Sequence, residues 1–242
     1  MRVLILGGTG EGRELAGALP GFDVVSSLAG RTAAPVLPEG DVRVGGFGGG
    51  LADYLRVGRF DAVVDATHPF AAGISAAAAS ATTAVGVPLL RLVRPPWTER
   101  PGDDWRRVPS LEAAAALAPT LGERLFLAVG SGGLAAFAGV DAWCLARTVE
   151  RPAPPLPRRL HVVRERGPFT VDGERDLLTR HAIDVVVARD SGGAADAKLT
   201  ACRELRLPVV LAERPREETA GTRVSGVSAA VAWLSALAGR CP

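Results

Sequence analysis

The sequence predicts an α/β protein built from parallel sheets that carry helices on both faces, arranged as two halves. Short continuous apolar runs alternate with alanine-rich helical segments along the 242-residue chain, a pattern typical of buried parallel strands. The first apolar run passes through a glycine-rich turn into a helix. The segment Arg94–Asp104, with three prolines and a glycine, interrupts the alternation and predicts a crossover between two domains.

The first half, residues 1–94, is predicted to form one doubly wound domain. Its strands are the apolar runs Arg2–Leu6, Asp23–Ser27, Val42–Val44, Ala62–Asp65 and Val87–Val93. Its helices start at about Gly10, span Leu51–Val57, and cover the alanine-rich stretch that ends at Gly86.

The second half, residues 95–242, repeats the alternation without an obvious sequence repeat. Strands are predicted within the stretches RLFLAVGSGG, AWCLART, LHVVRERGPF, IDVVVARD and LPVVLAERP. Helices are predicted at Leu111–Ala118, Leu134–Ala138 and Gly173–His181, in the segment after residue 193, and as an amphipathic terminal helix at Val227–Leu237. A proline-rich loop, Glu150–Arg159, separates two of the strands.

Composition excludes several functional classes. The net charge of +2 provides no strong field for nucleic acid or a membrane surface. Cys144, Cys202 and Cys241 are scattered and form no CxxC pair, so neither a metal site nor a disulfide framework is expected. No apolar run suits a signal peptide or a bilayer span. A cytoplasmic protein is therefore expected.

The first turn, GGTGEG, is a candidate phosphate site. It follows a strand and opens a helix, where glycines let backbone N–H groups approach a pyrophosphate. The spacing departs from G-x-G-x-x-G, and counting from Gly7 the residue in close helix–strand contact is Gly12. The alternative is a tight turn that holds no ligand.

The end of the second strand favours NADP(H) over NAD(H). NAD-binding units usually place an acid there to bind the ribose 2′-OH. This chain has Ser26, Ser27 and Arg31 instead, and hydroxyls with a guanidinium suit a 2′-phosphate. The alternative is that Arg31 is a solvated loop residue.

The stretch DATHPF ends the fourth strand at the edge where doubly wound sheets bind ligands. Thr67 and His68 are expected beside the cofactor. The pKa of an ordinary histidine permits a chemical role, although packing is the alternative for His68.

The second half contains two further glycine turns. Asp190, Ser191, Gly192 and Gly193 form a polar nest able to bind an anion. Lys198, the only lysine of the chain, follows at helical spacing; it either binds a ligand carboxylate or phosphate or lies on a solvated helix face. A similar nest surrounds Ser131. Arginines at predicted strand ends add positive charge: Arg147, Arg164 and Arg166.

Taken in order, LGGTGEGR, SSLAGR, GGFGG, DAVVDATHPFA, LLRLVRPPW, VVRERGPF and DSGGAADAKLTACRELRLPVVLAERP resemble the precorrin-6A reductases of cobalamin biosynthesis (the CobK/CbiJ family) over nearly the whole chain. The resemblance implies two Rossmann-like domains with an interdomain cleft, NADPH on the first domain, and a polycarboxylate tetrapyrrole as substrate. It implies NADPH-dependent reduction of one C=C bond of precorrin-6A to give precorrin-6B, with or without cobalt in the macrocycle. The family commonly has Asn at Asp190 and a Thr-Gly-Arg-type turn in place of VGSGG.

Site roles follow from this resemblance residue by residue. The pyrophosphate site would comprise Gly8, Thr9, Gly10, Glu11, Gly12 and Arg13. Ser27 and Arg31 would bind the 2′-phosphate, and Thr67 and His68 would flank the nicotinamide. The substrate site would comprise Ser131, Arg147, Ser191, Gly192, Gly193 and Lys198. Lys198, His68 or a water molecule could donate the proton.

Two rival functions have different signatures. Short-chain dehydrogenases share the GGTG-type turn but resemble one another in a Tyr-x-x-x-Lys pair. The only tyrosine here, Tyr54, has Gly58 at the fourth position, so that pair cannot form locally. A non-enzymatic NADP-sensing regulator would need the first turn but not the second glycine nest, and turnover separates it from an enzyme.

Overall fold

The computed structural model describes residues 1–30, 35–48, 50–194, 196–215 and 220–239. Its first elements are β1 (Arg2–Leu6), α1 (Gly10–Gly17), β2 (Asp23–Leu28), β3 (Asp41–Val44), α2 (Leu51–Gly58), β4 (Ala62–Asp65), α3 (Ala72–Val85) and β5 (Leu89–Leu92).

The following elements are β6 (Trp105–Val108), α4 (Leu111–Leu117), β7 (Arg124–Ala128), β8 (Trp143–Thr148), β9 (Leu160–Arg164), α5 (Val171–Arg180), β10 (Val185–Arg189), α6 (Ala197–Leu205), β11 (Val209–Ala212), β12 (Thr222–Val224) and α7 (Val227–Ala238). Short 3₁₀ helices cover Ala118–Thr120 and Ser131–Phe137.

The chain divides into two compact units. The first comprises the described residues of Met1–Pro95 and Arg216–Pro242, and the second comprises those of Pro96–Pro215. Each unit contains one six-stranded sheet, and every pairing within the two sheets is parallel. The predicted α/β class with two parallel sheets is therefore confirmed.

The first sheet has the order β12-β5-β4-β1-β2-β3, which is the dinucleotide-binding order with the sixth strand supplied by β12. Alternate residues of its strands point to opposite faces. One face, including Val3 and Ile5, packs against α1 and α7 through Leu15 and Leu234. The other face packs against α2 and α3, so the sheet is covered on both sides.

The second sheet has the order β6-β11-β10-β7-β8-β9. One face packs against α4 and the 3₁₀ helices, and the other packs against α5 and α6. Helix α5 starts at Val171, two residues before the predicted start, because the Thr170 hydroxyl accepts the Gly173 N–H at 3.1 Å and caps the helix. The predicted helix at Leu134–Ala138 is part of a 3₁₀ helix instead.

The structure assigns the end of the chain to a different unit from the one predicted by a division at residue 94. Residues 95–242 were assigned to the second domain, but β12 pairs with β5 and α7 packs into the first core. The sequence prediction missed β12 and β6 because both are short edge strands with charged residues in the middle, Arg223 in one and Arg106 and Arg107 in the other. Such strands lack the apolar pattern of central parallel strands.

Candidate functional site

The first unit brings two loops together at the carboxyl edge of its sheet. Strand β1 lies between β2 and β4, which is where the strand order reverses and where sheets of this class bind ligands. The Thr9 hydroxyl donates to the Ala66 carbonyl at 2.7 Å and accepts the Gly12 N–H at 3.1 Å. One threonine therefore caps α1 and ties the first turn to the loop after β4.

The glycines of the first turn have two different roles. Gly8 has φ of +113°, and no heavy atom lies within 4 Å of the position a Cβ would occupy. A Cβ at Gly12 would lie 3.3 Å from the Cβ of Ala66. Gly12 thus permits close helix–strand packing, whereas Gly8 leaves space above the N-terminus of α1. This space and the helix N-terminus fit a phosphate group.

The acidic residue of the turn is engaged within the first unit. The Glu11 carboxylate lies 3.1 Å from the Arg94 guanidinium. This ion pair reduces the repulsion that a free carboxylate would exert on a phosphate. Arg13 is half-buried on the same helix, and Gly10 is exposed.

At the end of β2, Ser27 faces an arginine that the sequence analysis missed. Strand β3 places Arg43 beside Ser27 in parallel register. The Arg43 guanidinium donates to the Ser27 hydroxyl at 2.7 Å and to the carbonyls of Gly45 and Gly46 at 3.1 and 2.8 Å. It also lies 4.0 Å from the centre of the Phe47 ring. The predicted partner Arg31 lies outside the described residues.

The loop after β4 is fixed by a buried carboxylate. Asp65 Oδ1 accepts the Thr67 N–H at 3.1 Å and the Thr67 hydroxyl at 2.6 Å. The Thr67 hydroxyl proton is therefore directed to Asp65, and its oxygen can only accept from a ligand. His68 Nδ1 accepts the Phe70 N–H at 3.2 Å. The neutral imidazole consequently holds its proton on Nε2, where it can act as a donor.

In the second unit, the glycine nest is held by the segment that the sequence predicted as a crossover. Asp190 Oδ1 accepts the Trp97 backbone N–H at 3.1 Å, and Oδ2 accepts from Arg107 at 3.0 Å. The Trp97 indole N–H donates to the Gly193 carbonyl at 2.9 Å. Both carboxylate oxygens of Asp190 thus have internal partners. The pairing with Arg107 offsets the cost of burying the Asp190 carboxylate.

The nest itself has the conformation that glycine allows. Gly192 and Gly193 have φ of +64° and +74°, which other residues rarely adopt. The neighbouring Ser191 hydroxyl lies 3.3 Å from the Arg189 carbonyl. Ser131 is exposed and opens the 3₁₀ helix after Gly130.

A cavity of about 210 Å³ lies in the second unit, lined by Ala128, Gly130, Arg147, Phe169, Glu174, Ala197 and Lys198. It brings together two predicted substrate residues, Arg147 and Lys198. Arg147 donates to Glu174 at 2.5 Å, and both side chains are buried. The Lys198 ammonium lies 4.9 Å from the centre of the Trp97 ring. Burial lowers the pKa of Lys198 below its ordinary value, an effect that the nearby Glu174 carboxylate opposes.

The sequence analysis missed Glu174 and Phe169. A signal for Glu174 existed, because it stands three and four residues before Leu177 and Leu178 on the buried face of α5. Phe169 follows the predicted strand within VVRERGPF, and only the fold places it over Arg147. Arg164 and Arg166 are exposed and do not line the cavity.

No thiol or metal chemistry is supported by the described part of the chain. Burial raises the pKa of Cys144 to about 11 and that of Cys202 to about 12, so both thiols stay protonated near neutral pH. No group of three or more His, Cys, Asp or Glu side chains in these ranges could hold a metal ion. None of the described helices combines the length and apolar character that spanning a bilayer requires.

Comparisons with known proteins match nearly the whole chain. The family described as "Precorrin-6x reductase CbiJ/CobK" matches residues 2–235. A precorrin-6A reductase of Rhodococcus erythropolis is 49% identical over 246 residues, which covers 99% of each chain. One of Mycobacterium tuberculosis strain H37Rv is 47% identical over 244 residues, also with 99% of each chain. A cobalt-precorrin-6A reductase of Salmonella typhimurium is 28% identical over 266 residues, with 97% of each.

The fold has a close counterpart among solved structures. A structure described as "CobK precorrin-6A reductase" is 44% identical and superposes with a TM-score of 0.92. The match covers 98% of this chain and 97% of that one.

Proposed function

The chain belongs to the precorrin-6x reductase family, and on that premise we propose that it reduces one C=C bond of precorrin-6A with NADPH, giving precorrin-6B. The chain is an oxidoreductase of cobalamin biosynthesis, since the family match extends over residues 2–235. That match is the observation that carries the proposal. The relatives named as reductases cover 99% of the chain, and no comparison favours a non-enzymatic regulator.

A reductase of this family uses a nicotinamide cofactor, and we infer that the cofactor is NADPH. The space above Gly8 and the N-terminus of α1 suit the pyrophosphate. The pair formed by Ser27 and Arg43 stands where NAD-binding proteins have an acid. A hydroxyl and a guanidinium held together suit a 2′-phosphate, and Arg31 is a further candidate.

The chain's own residues bind and orient, because the hydride chemistry is supplied by the bound nicotinamide. Thr9 and Gly12 fix the start of α1 against the loop after β4. Asp65 fixes Thr67, and the Phe70 N–H fixes the tautomer of His68. We propose that Thr67 and His68 contact the nicotinamide side of the cofactor. His68 Nε2 and Lys198 Nζ are both candidates for the group that gives a proton to the macrocycle.

The substrate is proposed to bind to the second unit, and the metal-free macrocycle is favoured over the cobalt-bearing one. Relatives named precorrin-6A reductase are 39–49% identical to the chain, whereas relatives named cobalt-precorrin-6A reductase are 27–29% identical. The proposed substrate contacts are Ser131, Arg147, Ser191, Gly192, Gly193 and Lys198. The interdomain cleft predicted from the sequence stays a prediction.

The deciding experiment is turnover with purified protein. Precorrin-6A and, in a parallel series, its cobalt-bearing counterpart are each mixed with NADPH and, separately, with NADH. The near-ultraviolet absorbance of the reduced nicotinamide is followed together with the visible spectrum of the macrocycle. NADPH oxidation with a matching spectral change supports the proposal. Faster oxidation of NADH contradicts the cofactor assignment, and turnover with the cobalt-bearing substrate alone contradicts the substrate assignment.

A further inference from the structure

A buried ion pair lies at the end of β4, where the loop that contains Thr67 begins. Asp65, the last residue of β4, is in register with Arg91 of β5. The side chains of Asp65 and Arg91 are 4% and 9% exposed, and Arg91 Nε lies 3.8 Å from Asp65 Oδ2. A buried carboxylate is costly without an opposite charge. The positive charge of Arg91 therefore stabilises the ionised Asp65, and an ionised carboxylate only accepts hydrogen bonds.

The ionised Asp65 determines which hydrogen bonds Thr67 can make. A hydroxyl group has one proton and two acceptor sites. Asp65 Oδ1 accepts the Thr67 hydroxyl proton at 2.6 Å and the Thr67 N–H at 3.1 Å. The Ser75 hydroxyl lies 3.4 Å from that of Thr67, and because Thr67 has no second proton, Ser75 is the donor in this contact. These contacts leave one acceptor site on the Thr67 oxygen, and that site can serve only a donor.

Thr67 lies on the side of the first sheet where the nicotinamide half of a dinucleotide is expected. A dinucleotide bound by this fold lies across the carboxyl ends of the strands, with its adenosine ribose at the end of β2. Strand β1 lies between β2 and β4, so the other half of the cofactor extends toward β4. The 2.7 Å hydrogen bond from Thr9 to Ala66 holds the loop with Thr67 next to the proposed pyrophosphate site.

The reacting end of the proposed cofactor has a matching donor. The reduced nicotinamide ring has no N–H of its own, but its carboxamide group has two. The ribose hydroxyls can donate as well, although only the carboxamide is attached to the ring that transfers the hydride. A hydrogen bond from the carboxamide to Thr67 would restrict rotation of the ring about its bond to the ribose, and so orient the reacting carbon.

We propose that the Thr67 oxygen accepts a hydrogen bond from the nicotinamide carboxamide, and that Asp65 and Arg91 are positioning residues that keep Thr67 an acceptor. This inference rests on the proposed function, which supplies the cofactor. Loss of either charge removes the effect. The amide of Asp65→Asn can donate to the Thr67 oxygen, and a buried Asp65 without Arg91 is neutralised by a proton and can donate in the same way.

A cofactor analogue that lacks the carboxamide N–H groups tests this contact. Calorimetric titration without substrate compares NADPH with its reduced 3-acetylpyridine analogue, in which a methyl group replaces the amide nitrogen. We expect the wild type to bind NADPH about three- to ten-fold more tightly than the analogue, as for one neutral hydrogen bond. Thr67→Val should bind both cofactors equally to within about two-fold. Thr67→Ser keeps the hydroxyl and should retain the preference for NADPH.

The charge variants test the positioning role. Asp65→Asn and Arg91→Met should each lose the preference for NADPH, whereas Arg91→Lys should keep it. If a single variant does not fold because one buried charge is unpaired, the double variant Asp65→Asn/Arg91→Met removes both charges and should lose the preference as well. Thr82→Val is the matched control and should keep the preference, because it removes a buried hydroxyl of the same unit that is bonded to the Ala78 and Ala79 carbonyls.

The ratio of the two affinities separates this inference from a structural role and from the proposed function. A Thr67→Val variant that keeps the wild-type preference overturns the contact even if both affinities fall, because a purely structural role weakens both cofactors alike. Charge variants that keep the preference overturn the roles of Asp65 and Arg91. A wild type that reduces precorrin-6A with NADPH but binds both cofactors equally overturns only this inference. A wild type that neither binds NADPH nor reduces precorrin-6A overturns the proposed function as well.

Discussion

At the scale of single residues, we predict that Arg43 determines the choice of cofactor. Its guanidinium is bonded to Ser27 and to two carbonyls, and it packs on Phe47. We predict that Arg43→Met weakens NADPH binding by about ten- to a hundred-fold, because a charge-assisted contact to the 2′-phosphate is lost. NADH binding should change by less than about three-fold. Fluorescence titration with both cofactors measures the two affinities.

Arg56→Met provides the control for this variant. Arg56 lies on α2 of the same unit, is 63% exposed and pairs with Asp53 three residues before it, so its loss should leave both affinities unchanged. Equal losses of NADPH and NADH affinity in Arg43→Met would show that Arg43 supports the fold of the site and does not read the 2′-phosphate.

A second residue-scale effect concerns the pH dependence of stability. The rings of Trp143, His161 and His181 form a three-membered cluster, in which the Trp143 centre lies 6.3 Å from that of His161 and 5.9 Å from that of His181, and the two imidazole centres are 5.6 Å apart. Burial lowers the pKa of His181 below its ordinary 6.5, and His161, Arg180 and Arg124 lower it further. The unfolded chain therefore binds this proton more tightly than the folded chain, so the contribution of His181 to stability is complete above pH 6.5 and is lost as the pH falls below it.

His181→Gln should remove this part of the pH dependence. We expect the free energy of unfolding of the second unit to fall less steeply between pH 7 and pH 5 in the variant than in the wild type. Urea denaturation at several pH values, followed by tryptophan fluorescence, measures the slope. Parallel profiles for the two proteins would contradict the prediction.

At the scale of elements, the packing of α1 on the first sheet depends on Gly12. A Cβ there would already lie 3.3 Å from the Cβ of Ala66. We predict that Gly12→Val destabilises the first unit by about 1–3 kcal/mol through overpacking. Gly10→Ala is the control, since only the flexible end of Arg13 lies within 4 Å of its Cβ position. Thermal unfolding measures the stability of both variants. A larger loss of stability in Gly10→Ala than in Gly12→Val would contradict the prediction.

Elements were predictable from the sequence where burial imposes a pattern. The central strands, such as β1 and β4, are continuous apolar runs and were predicted at their observed bounds. The edge strands β6 and β12 have charged residues facing solvent, so no local pattern reveals them. The same limit applies to the site. The glycine turns have local signals, but the pairing of Arg43 with Ser27 depends on strand register, and that of Arg147 with Glu174 joins different elements.

At the scale of the whole molecule, the chain leaves the first unit, forms the second, and returns to complete the first. Strand β12 extends the first sheet beside β5, and α7 covers the same face as α1. A residue near the end of the chain should therefore control the stability of the N-terminal unit. Leu234 on α7 is fully buried in that core, although the second unit separates it from its neighbours in sequence.

Leu234→Ala tests this arrangement. We predict a loss of about 2–5 kcal/mol in the free energy of unfolding of the first unit, because a buried leucine is replaced by a cavity. Val57→Ala, at a position 84% exposed on α2, is the control and should cost far less. NADPH, which we propose binds the first unit, should raise the midpoint of the transition that Leu234→Ala lowers, because a ligand stabilises the state that binds it. If the variant instead lowers a transition that NADPH does not affect, the terminal helix stabilises the second unit, as the sequence-based division at residue 94 implied.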